Sequence, residues 1–569
     1  MSPRPPRTPG RLSPGGMTLW GLAAGVPALF VGVFFIWPVV ALVATGFTSA
    51  DAEGVPRLDL GGVPEVLGDP RSWQVIGNTL GQASLATIIA LVLGLPAAFA
   101  LYRLEFRGRG LLRALLTVPF VLPTVVVGVA FSALFGPAGA LGWLGLDRTL
   151  LVVVLALAFF NVTVVARTVG GYWAQLDSRQ AQAARMLGAG PVRVFTTITL
   201  PALGPALASA GALVFLFCAT SFGVVLILGG REFANIETEI YRLTTQYLDL
   251  RSAAVLSLVQ FAVVALSLGV SAAFRRRSER AQSLREEARP VRRSDWPVLA
   301  IFGATALLLH AFPIGALVWR SLQEPRGAGF GFANYVALVD PPPSSPLDGS
   351  VLGAASLSLG IACIATAIAV SLGLLVALVA SRRPRSAVLT RAISLYDAAI
   401  MLPLGISAVT LGFGLLLTMH RPLGIGFDLR TSVVLIPIAQ ALVALPLVVR
   451  TMLPVLRAID PRTREAAAVL GASPLRVLGT IDLAMLGRSA GLALGFAFAV
   501  SLGEFGATAF LVRPGGQTLP VAIAQLANHQ DPASYGAALA ASVVLGLIAA
   551  GIMVLAERLR PERGIGGNW

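Results

Sequence analysis

The feature that most constrains the fold of this chain is a polar segment that occurs twice. Residues 182–201 read QAARMLGAGPVRVFTTITLP, and residues 465–484 read EAAAVLGASPLRVLGTIDLA. The offset of 283 residues holds without a gap from Arg167 to Gly204 in the first copy. Because each copy lies between long apolar runs, the repeat predicts a duplicated membrane protein with two equivalent contact points in the cytosol.

The composition indicates that the bilayer is the solvent for most of this chain. Hydrophobic residues make up 56% of it and charged residues only 12%, whereas a soluble domain carries roughly a quarter charged residues. All 43 basic residues are arginine, so the chain has no P-loop lysine with which to bind ATP. Its three His and two Cys form no pattern of metal ligands. We therefore expect no metal site, no cofactor and no catalytic residue.

Twelve segments reach the length of about 20 mostly apolar residues that a membrane-spanning helix requires. They lie at 18–47, 77–102, 112–136, 149–169, 203–229, 252–274, 296–321, 351–380, 392–419, 431–453, 486–512 and 534–556. The sequence therefore predicts an all-α polytopic membrane protein with about twelve transmembrane helices, arranged as two tandem halves of six.

These segments divide the chain into two halves and three polar regions. The predicted divisions are a cytoplasmic basic tail at 1–17, a first half at 18–274 with its repeated loop at 177–201, a cytoplasmic linker at 275–295, a second half at 296–556 with its repeated loop at 460–484, and a cytoplasmic tail at 557–569.

The placement of arginine sets the predicted orientation. With both termini in the cytoplasm, 32 of the 43 arginines fall in cytoplasmic segments and 11 fall outside. Cytoplasmic loops carry an excess of basic residues, so both repeated loops are predicted to face the cytosol. The net charge of +15 then reflects topology and attraction to anionic lipid, and no nucleic-acid partner is expected.

Each repeated loop has the pattern of a short helix that ends in a sharp turn. Asp177 and Asp460 are placed to cap the start of the helix. Gly188 and Gly471 follow it, where a left-handed turn would end it. A small-faced helix that projects from the membrane suits docking into a groove on another protein. A duplicated connector without a partner is the alternative interpretation.

The two segments resemble the EAA loop of the membrane subunits of ATP-binding-cassette importers, E-A-A-x3-G-x9-I-x-L-P. The second copy has Ala484 in place of Pro and matches at Glu465, Ala466, Ala467, Gly471, Ile481 and Leu483. The first copy has Gln182 in place of Glu and matches at Ala183, Ala184, Gly188, Ile198, Leu200 and Pro201. In that family the loop is a coupling helix that inserts into the ATPase subunit. The resemblance therefore implies an ATPase-coupling role for Gln182, Ala183, Ala184, Gly188, Glu465, Ala466, Ala467 and Gly471.

The resemblance extends over nearly the whole chain, and a fused pair of halves looks like the permeases of thiamine and ferric-iron importers. It implies a non-enzymatic transport subunit of the bacterial cell membrane, served by two copies of a cytoplasmic ATPase subunit and by an extracytoplasmic binding protein. Three segments look closest to the thiamine type: CATSFGVVLILGG at 218–230, NIETEIYRLTTQYLDLRSAAVLSLVQ at 235–260 and SLGEFGATAFLV at 501–512. Thiamine or its phosphates are the expected substrate, and ferric iron is the alternative.

Two short motifs, SFG at 221–223 and EFG at 504–506, match at the same offset in the fifth predicted helix of each half. An acidic side chain within an apolar span costs roughly 2–3 kcal/mol and usually faces a protein interior or a water-filled cavity. A hydrogen-bonded glutamate and ordinary packing of the two rings are the alternatives to a functional role. The predicted translocation-pathway or gate residues are Ser221, Phe222, Glu504 and Phe505.

Two other classes of protein compete with the importer prediction. An ion-coupled secondary transporter would explain twelve helices and a duplication, but it needs charged residues at the membrane midplane in both halves. Glu504 is the candidate in one half, and its counterpart in the other is Ser221. A membrane enzyme needs a polar catalytic cluster near the interface, and the sequence offers no such cluster.

Overall fold

The structure is a computed structural model that describes residues 14–50, 56–177, 179–278, 288–325, 329–382, 386–424, 426–513 and 515–558. Most of the predicted N-terminal and C-terminal tails and the middle of the predicted linker lie outside the described residues. The described part is almost entirely helical, which confirms the predicted all-α membrane fold.

Ten helices in the described part of the chain are long and apolar enough to cross a membrane. They are Trp20–Gly46, Pro70–Arg103, Leu150–Trp173, Pro191–Ala219, Leu250–Phe274, Arg293–Ser321, Val351–Ala380, Ala387–Gly405, Leu435–Ala458 and Pro532–Ala556. A bent pair, Leu475–Gly487 with Ser489–Gly503, makes an eleventh if it is counted as one span.

The α-helices are numbered in chain order. Those of the N-terminal part are α1 Pro14–Val31, α2 Trp37–Gly46, α3 Gly62–Gly68, α4 Pro70–Arg103, α5 Arg109–Val121, α6 Thr124–Phe135, α7 Leu150–Trp173, α8 Arg179–Met186, α9 Pro191–Val194, α10 Leu200–Ala219, α11 Gly223–Leu228, α12 Ile236–Arg242 and α13 Leu250–Ser278. Those of the C-terminal part are α14 Trp296–Ala304, α15 Phe312–Ser321, α16 Ala333–Val336, α17 Val351–Ala380, α18 Ala387–Met401, α19 Ala408–Thr418, α20 Leu435–Ala458, α21 Pro461–Val469, α22 Pro474–Val477, α23 Leu483–Gly503, α24 Thr508–Leu511, α25 Leu519–Ala527 and α26 Pro532–Arg558.

Shorter elements connect or interrupt these helices. The π-helical turns are Gly32–Ile36, Phe195–Thr199, Leu243–Tyr247, Thr305–Ala311 and Leu478–Asp482. The 3-10 turns are Gly142–Leu144, Arg293–Asp295, Leu402–Gly405, Pro422–Gly424 and Leu429–Thr431. Four short strands form two pairs, β1 Thr48–Ala50 antiparallel to β2 Pro56–Leu58, and β3 Leu104–Glu105 parallel to β4 Arg289–Pro290.

Four of the twelve predicted spans are not continuous helices: the third and the ninth, and the fifth of each half. The predicted span 112–136 is divided into α5 and α6 by an extended step at Leu122 and Pro123. The predicted span 392–419 is divided into α18 and α19, with Pro403 in the break. Proline supplies no backbone N–H and clashes with the preceding helical turn, so each run bends where an apolar pattern alone predicts a straight helix.

The long helices of the two halves pack in the same way. In the first half, α4 packs against α7 and α10, and α10 packs against α13. In the second half, α17 packs against α20 and α23, and α23 packs against α26. Helix association in lipid depends on close backbone approach through small residues. A Cβ atom at Gly94 of α4 would lie 2.6 Å from Val165 of α7, and one at Gly373 of α17 would lie 2.5 Å from Val448 of α20.

The first helices of the two halves are exchanged. α1 packs against α17 and α2 against α19, while α14 packs against α4 and α15 against α6. Phe302 of α14 is fully buried in the core of the first half. The buried apolar residues form two clusters, and each cluster contains residues of both halves. Each half therefore contributes a helix to the core of the other.

Candidate functional site

The two repeated loops begin with the same cap. The Asp177 carboxylate accepts a hydrogen bond from the backbone N–H of Arg179 at 2.9 Å, where α8 begins. The Asp460 carboxylate accepts one from the N–H of Arg462 at 2.9 Å, in the first turn of α21. An aspartate at this position satisfies a backbone N–H that has no partner inside the helix. The predicted caps are therefore present in both loops.

Both helices end at a glycine in the left-handed conformation. Gly188 and Gly471 each have φ +84°. In each loop the glycine N–H and the next N–H bond back to carbonyls of the last helical turn, as in a Schellman motif. Glycine adopts this conformation without the steric cost that a Cβ atom imposes. The turn then directs the chain into α9 and α22, which occupy equivalent positions.

The tip of each loop presents two apolar side chains that the sequence analysis did not single out. Met186 and Leu187 are each 89% exposed, and their counterparts Val469 and Leu470 are 86% and 87% exposed. The sequence did contain a signal for these side chains, because in both copies of the repeat an apolar pair directly precedes the turn glycine. The predicted coupling residues lie on the same short helices, with Ala184 and Ala467 half-buried and the exposed ones being Gln182, Ala183, Gly188, Glu465, Ala466 and Gly471.

The second loop is tied to the helical body by an ionic cluster. Asp482 is fully buried and accepts hydrogen bonds from Arg464 of α21 at 2.8 Å and from Arg382 at 2.8 Å. The positions equivalent to Asp482 and Arg464 in the first half are Thr199 and Ala181. The two loops thus share their backbone geometry, but the second has a buried ion-pair cluster whose equivalent positions in the first are uncharged.

Both copies of the fifth predicted helix break at the equivalent place. α10 ends at Ala219 and α23 ends at Gly503, and the two predicted pathway motifs follow directly. Phe222 and Phe505 are 5% and 4% exposed, and their rings stack with centroids 5.0 Å apart and planes inclined by 19°. The structure therefore brings the two equivalent phenylalanines together across the contact between the halves.

The glycine after each phenylalanine allows a close approach of the neighbouring helix. A Cβ atom at Gly223 would lie 2.5 Å from the Thr124 hydroxyl and 3.2 Å from the Phe505 ring. A Cβ atom at Gly506 would lie 2.9 Å from the Cβ of Ala408. A larger residue at Gly223 would push the chain away from α6, and one at Gly506 would push it away from α19. The third residue of each motif is therefore dictated by packing.

The Glu504 carboxylate has hydrogen-bond partners on both oxygens. It accepts bonds from the backbone N–H of Ala507 at 2.8 Å and of Thr508 at 3.0 Å, and from the Thr508 hydroxyl. These groups begin the short helix α24, so the carboxylate acts as its cap. Glu504 is 7% exposed. The structure places this residue at the break in the predicted span and directs its oxygens toward the backbone of Ala507 and Thr508 and the Thr508 hydroxyl.

Ser221, the counterpart of Glu504, is also buried at the break. Its carbonyl oxygen accepts a hydrogen bond from the Asn235 side chain at 2.6 Å. The Ser221 hydroxyl oxygen has no hydrogen-bond partner among the described residues. The two equivalent positions therefore differ in chemistry, because one caps a helix and the other presents an unused hydroxyl.

Sequence reasoning missed a second buried carboxylate at the interface between the halves. Glu237 of α12 is fully buried and accepts a hydrogen bond from the Ser407 hydroxyl of the other half at 2.6 Å. The twelve predicted spans left α12 in an outer loop. Its only sequence signal was an acidic residue within a segment resembling the thiamine type.

A cavity of about 600 Å³ opens at another part of the interface, near the ends of α6 and α15. Its lining includes Arg148, Arg320 and Tyr535. The Ser132 and Tyr535 hydroxyls join the halves there, 3.1 Å apart. No cluster of three His, Cys, Asp or Glu side chains able to hold a metal ion occurs in the part of the chain that the structure describes.

An all-α membrane architecture with two similar halves and two projecting helical loops is that of the transport permeases. Residues 90–280 match the family described as binding-protein-dependent transport system inner membrane component. A sulfate transport system permease protein of Escherichia coli (strain K12) is 34% identical over 215 residues, which cover 37% of this chain and 74% of that protein. The chain therefore belongs to the family of binding-protein-dependent transport system inner membrane components, as the sequence predicted.

Two relatives align over most of the chain. A thiamine transport system permease protein of Brucella abortus (strain 2308) is 27% identical over 512 residues, which cover 87% of this chain and 89% of that protein. A thiamine transport system permease protein of Salmonella typhimurium is 28% identical over 470 residues, which cover 79% of this chain and 83% of that protein. Membership of this family makes the chain a transport subunit that works with an ATPase and a substrate-binding protein.

Proposed function

We propose that this chain is the permease of an importer for thiamine or its phosphates, with both termini in the cytoplasm of a bacterial cell. Two copies of an ATPase subunit dock on the repeated loops, and an extracytoplasmic binding protein delivers the solute. The observation that carries the proposal is the pair of loops, which have the same cap, the same left-handed turn and the same exposed apolar tip.

The exposed tips favour docking over a solvated connector. Leu187 and Leu470 are close to fully exposed, and each gains about 1.5–3 kcal/mol when it is buried. A helix that presents small residues and an apolar tip fits a groove on a partner protein. Two equivalent tips on one chain match two equivalent partner subunits, which is how a duplicated permease meets a dimeric ATPase.

The course of the chain provides a route from the docking helices to the break in the fifth span. From Pro191 to Ala219 the chain forms one continuous helical span, and Phe222 follows that span. The second half repeats the arrangement from Leu475 to Gly503, with a bend, and Phe505 follows. Closure of the ATPase dimer would move both docking helices together and so pull the two phenylalanines apart. This is alternating access with the repeats moving about a central site.

The length of the alignments supports thiamine over sulfate. The relatives named for thiamine align over 87% and 79% of this chain, whereas the sulfate relative aligns over 37% of it. The thiamine relatives also carry both halves in one alignment. Ferric iron is the alternative substrate predicted from sequence. The described residues contain no cluster of metal ligands that would support it.

The test is ATP hydrolysis and uptake by the complete complex. The chain is co-expressed with the ATPase and binding protein encoded beside it and reconstituted in proteoliposomes. We expect binding protein loaded with thiamine to stimulate hydrolysis and thiamine uptake, and Gly471→Pro or Gly188→Pro to abolish the stimulation. Proline cannot adopt a positive φ, so the turn after the docking helix would be lost.

Gly145→Pro is the matched control, since Gly145 also has a positive φ, of +63°, but lies in a loop predicted to face outward. It should keep coupling. Stimulation by sulfate or ferric iron instead of thiamine would contradict the substrate, and uptake driven by an ion gradient without an ATPase would contradict the importer.

A further inference from the structure

The buried Glu237 carboxylate lies at the interface between the halves, and one of its two oxygens has no hydrogen-bond partner among the described residues. Its Oε2 accepts the Ser407 hydroxyl hydrogen bond at 2.6 Å, and its Oε1 has no partner among the described residues. Ser407 also accepts the backbone N–H of Val409 at 3.1 Å, so it caps α19. The carboxylate is thus joined to the other half through a single hydroxyl group, which would leave with that half when the halves separate.

Two further buried polar atoms without hydrogen-bond partners among the described residues lie nearby. The Gln260 side chain lies beside the Glu237 carboxylate and donates to the Ala219 carbonyl at 3.1 Å, and its own oxygen is unpaired. The Ser221 hydroxyl is also unpaired. An unsatisfied buried polar group costs about 1–3 kcal/mol, and native proteins keep few of them without a reason. The unpaired oxygens of Glu237, Gln260 and Ser221 are therefore available as hydrogen-bond partners for a polar ligand.

An aromatic cluster lies one helical turn along α12 from Glu237. Tyr241 lies one helical turn after Glu237 on α12. Its ring contacts Phe222 edge-on at 5.3 Å and Phe510 edge-on at 5.4 Å between centroids. Phe222 in turn stacks on Phe505. A carboxylate one helical turn from a cluster of aromatic rings offers the two groups that attract organic cations, a negative charge and ring faces.

The arrangement exists on one side of the repeat only. The positions equivalent to Glu237, Tyr241 and Phe510 are Pro520, Ala524 and Ile227. α25 forms without a carboxylate or an aromatic ring at the positions equivalent to Glu237 and Tyr241, and α11 has Ile227 where α24 has Phe510. The fold therefore does not require Glu237, and a single site suits one solute molecule at a time.

We propose that Glu237, with Tyr241 and Phe222, is the contact within the permease for the positively charged ring of an organic cation. The inference rests on the proposed function and deepens it, because it selects a cation over an anion such as sulfate. Opening of the interface withdraws Ser407 and frees both carboxylate oxygens for the solute. A hard metal ion takes six or more oxygen ligands or keeps its waters, whereas this site offers one carboxylate one helical turn from an aromatic cluster, so it fits an organic cation better than ferric iron.

The experiment compares charge selectivity in the reconstituted complex. The probes are radiolabelled thiamine and a neutral thiamine analogue in which a thiophene replaces the thiazolium. Each probe is supplied at a concentration that saturates the binding protein. Glu237→Gln removes the charge while its amide oxygen still accepts the Ser407 hydrogen bond. Ser407→Ala removes the hydrogen bond and keeps the charge.

We expect the wild type and Ser407→Ala to transport thiamine in preference to the neutral analogue. Glu237→Gln should reduce that preference by about tenfold, the equivalent of about 1.4 kcal/mol, while the variant still co-purifies with the ATPase. Unchanged preference in Glu237→Gln, or equal loss in Ser407→Ala, would overturn the inference and leave the importer proposal standing. Absence of hydrolysis stimulated by binding protein in the wild type would instead contradict the importer proposal.

Discussion

The rings of Phe222 and Phe505 stack on each other across the contact between the two halves, at 5.0 Å between centroids. They are equivalent residues of the internal repeat, and each follows the break in its span. Equivalent residues meet only where the pseudo-symmetry axis passes, so this pair marks the centre of the interface. A translocation pathway between the halves would have to open at this stack.

We expect Phe505→Ala or Phe222→Ala to open a leak. Loss of one ring leaves a cavity on the axis, and such a change in a packed interior costs roughly 3–5 kcal/mol. Efflux of preloaded thiamine from proteoliposomes without ATP measures the leak. Phe413→Ala is the control, because Phe413 is fully buried but lies outside the stack. An equal leak in Phe413→Ala would indicate general loosening rather than a gate.

We expect Leu187→Asp and Leu470→Asp to weaken association with the ATPase subunit. Each change removes an apolar contact that contributes about 1.5–3 kcal/mol on burial, and it adds a charge that the partner groove must desolvate. Co-purification and surface plasmon resonance measure the loss. Leu58→Asp, at a residue 76% exposed on the predicted outer side, should have no effect. Normal association in both loop variants would show that the tips do not dock.

We expect Asp482→Asn to uncouple the second loop. Asp482 joins Arg464 of the docking helix to Arg382 of the body, and breaking a buried ion pair costs about 3–5 kcal/mol. The ratio of thiamine transported to ATP hydrolysed should fall, together with the melting temperature. Thr199→Ala, at the equivalent position of the first loop, should preserve the ratio. If both variants behave alike, the two loops are attached equally firmly.

We expect Glu504→Gln to destabilise the protein as much as Glu504→Ala. The carboxylate accepts hydrogen bonds on both oxygens, and an amide nitrogen in place of one oxygen would face an N–H donor. Hydrogen bonds to a charged group contribute about 1.5–3 kcal/mol. Thermal unfolding measures the loss, and Ser221→Ala should be close to neutral. A changed KM for thiamine with unchanged stability would assign Glu504 to the pathway instead.

Much of the geometry of the repeated loops could be predicted from sequence because its signals are local. Asp177, Gly188 and their counterparts act within a few residues of their own positions, through a cap and a left-handed turn. The membrane fold also followed from apolar runs and arginine placement. The bends in the third and ninth spans could not be predicted, because an apolar run does not reveal how a proline within it will bend the chain.

The role of Glu504 needed the structure because its alternatives differ only in which way the side chain points. An apolar span with one acidic residue is equally consistent with a pathway and with a cap. Glu237 was missed because its partner Ser407 is 170 residues away. The Arg464–Asp482–Arg382 cluster likewise joins a loop to a helix end 100 residues earlier in the chain.

The sequence by itself determined that this chain is a duplicated helical permease with two equivalent loops, because repeats, caps, turns and apolar length are short-range properties of the chain. Only the tertiary structure decided that the first helices are exchanged, that Phe222 meets Phe505, and that Glu237 accepts a hydrogen bond from Ser407 of the other half. Those features depend on contacts between distant residues, and their free energy comes from packing that no local pattern records.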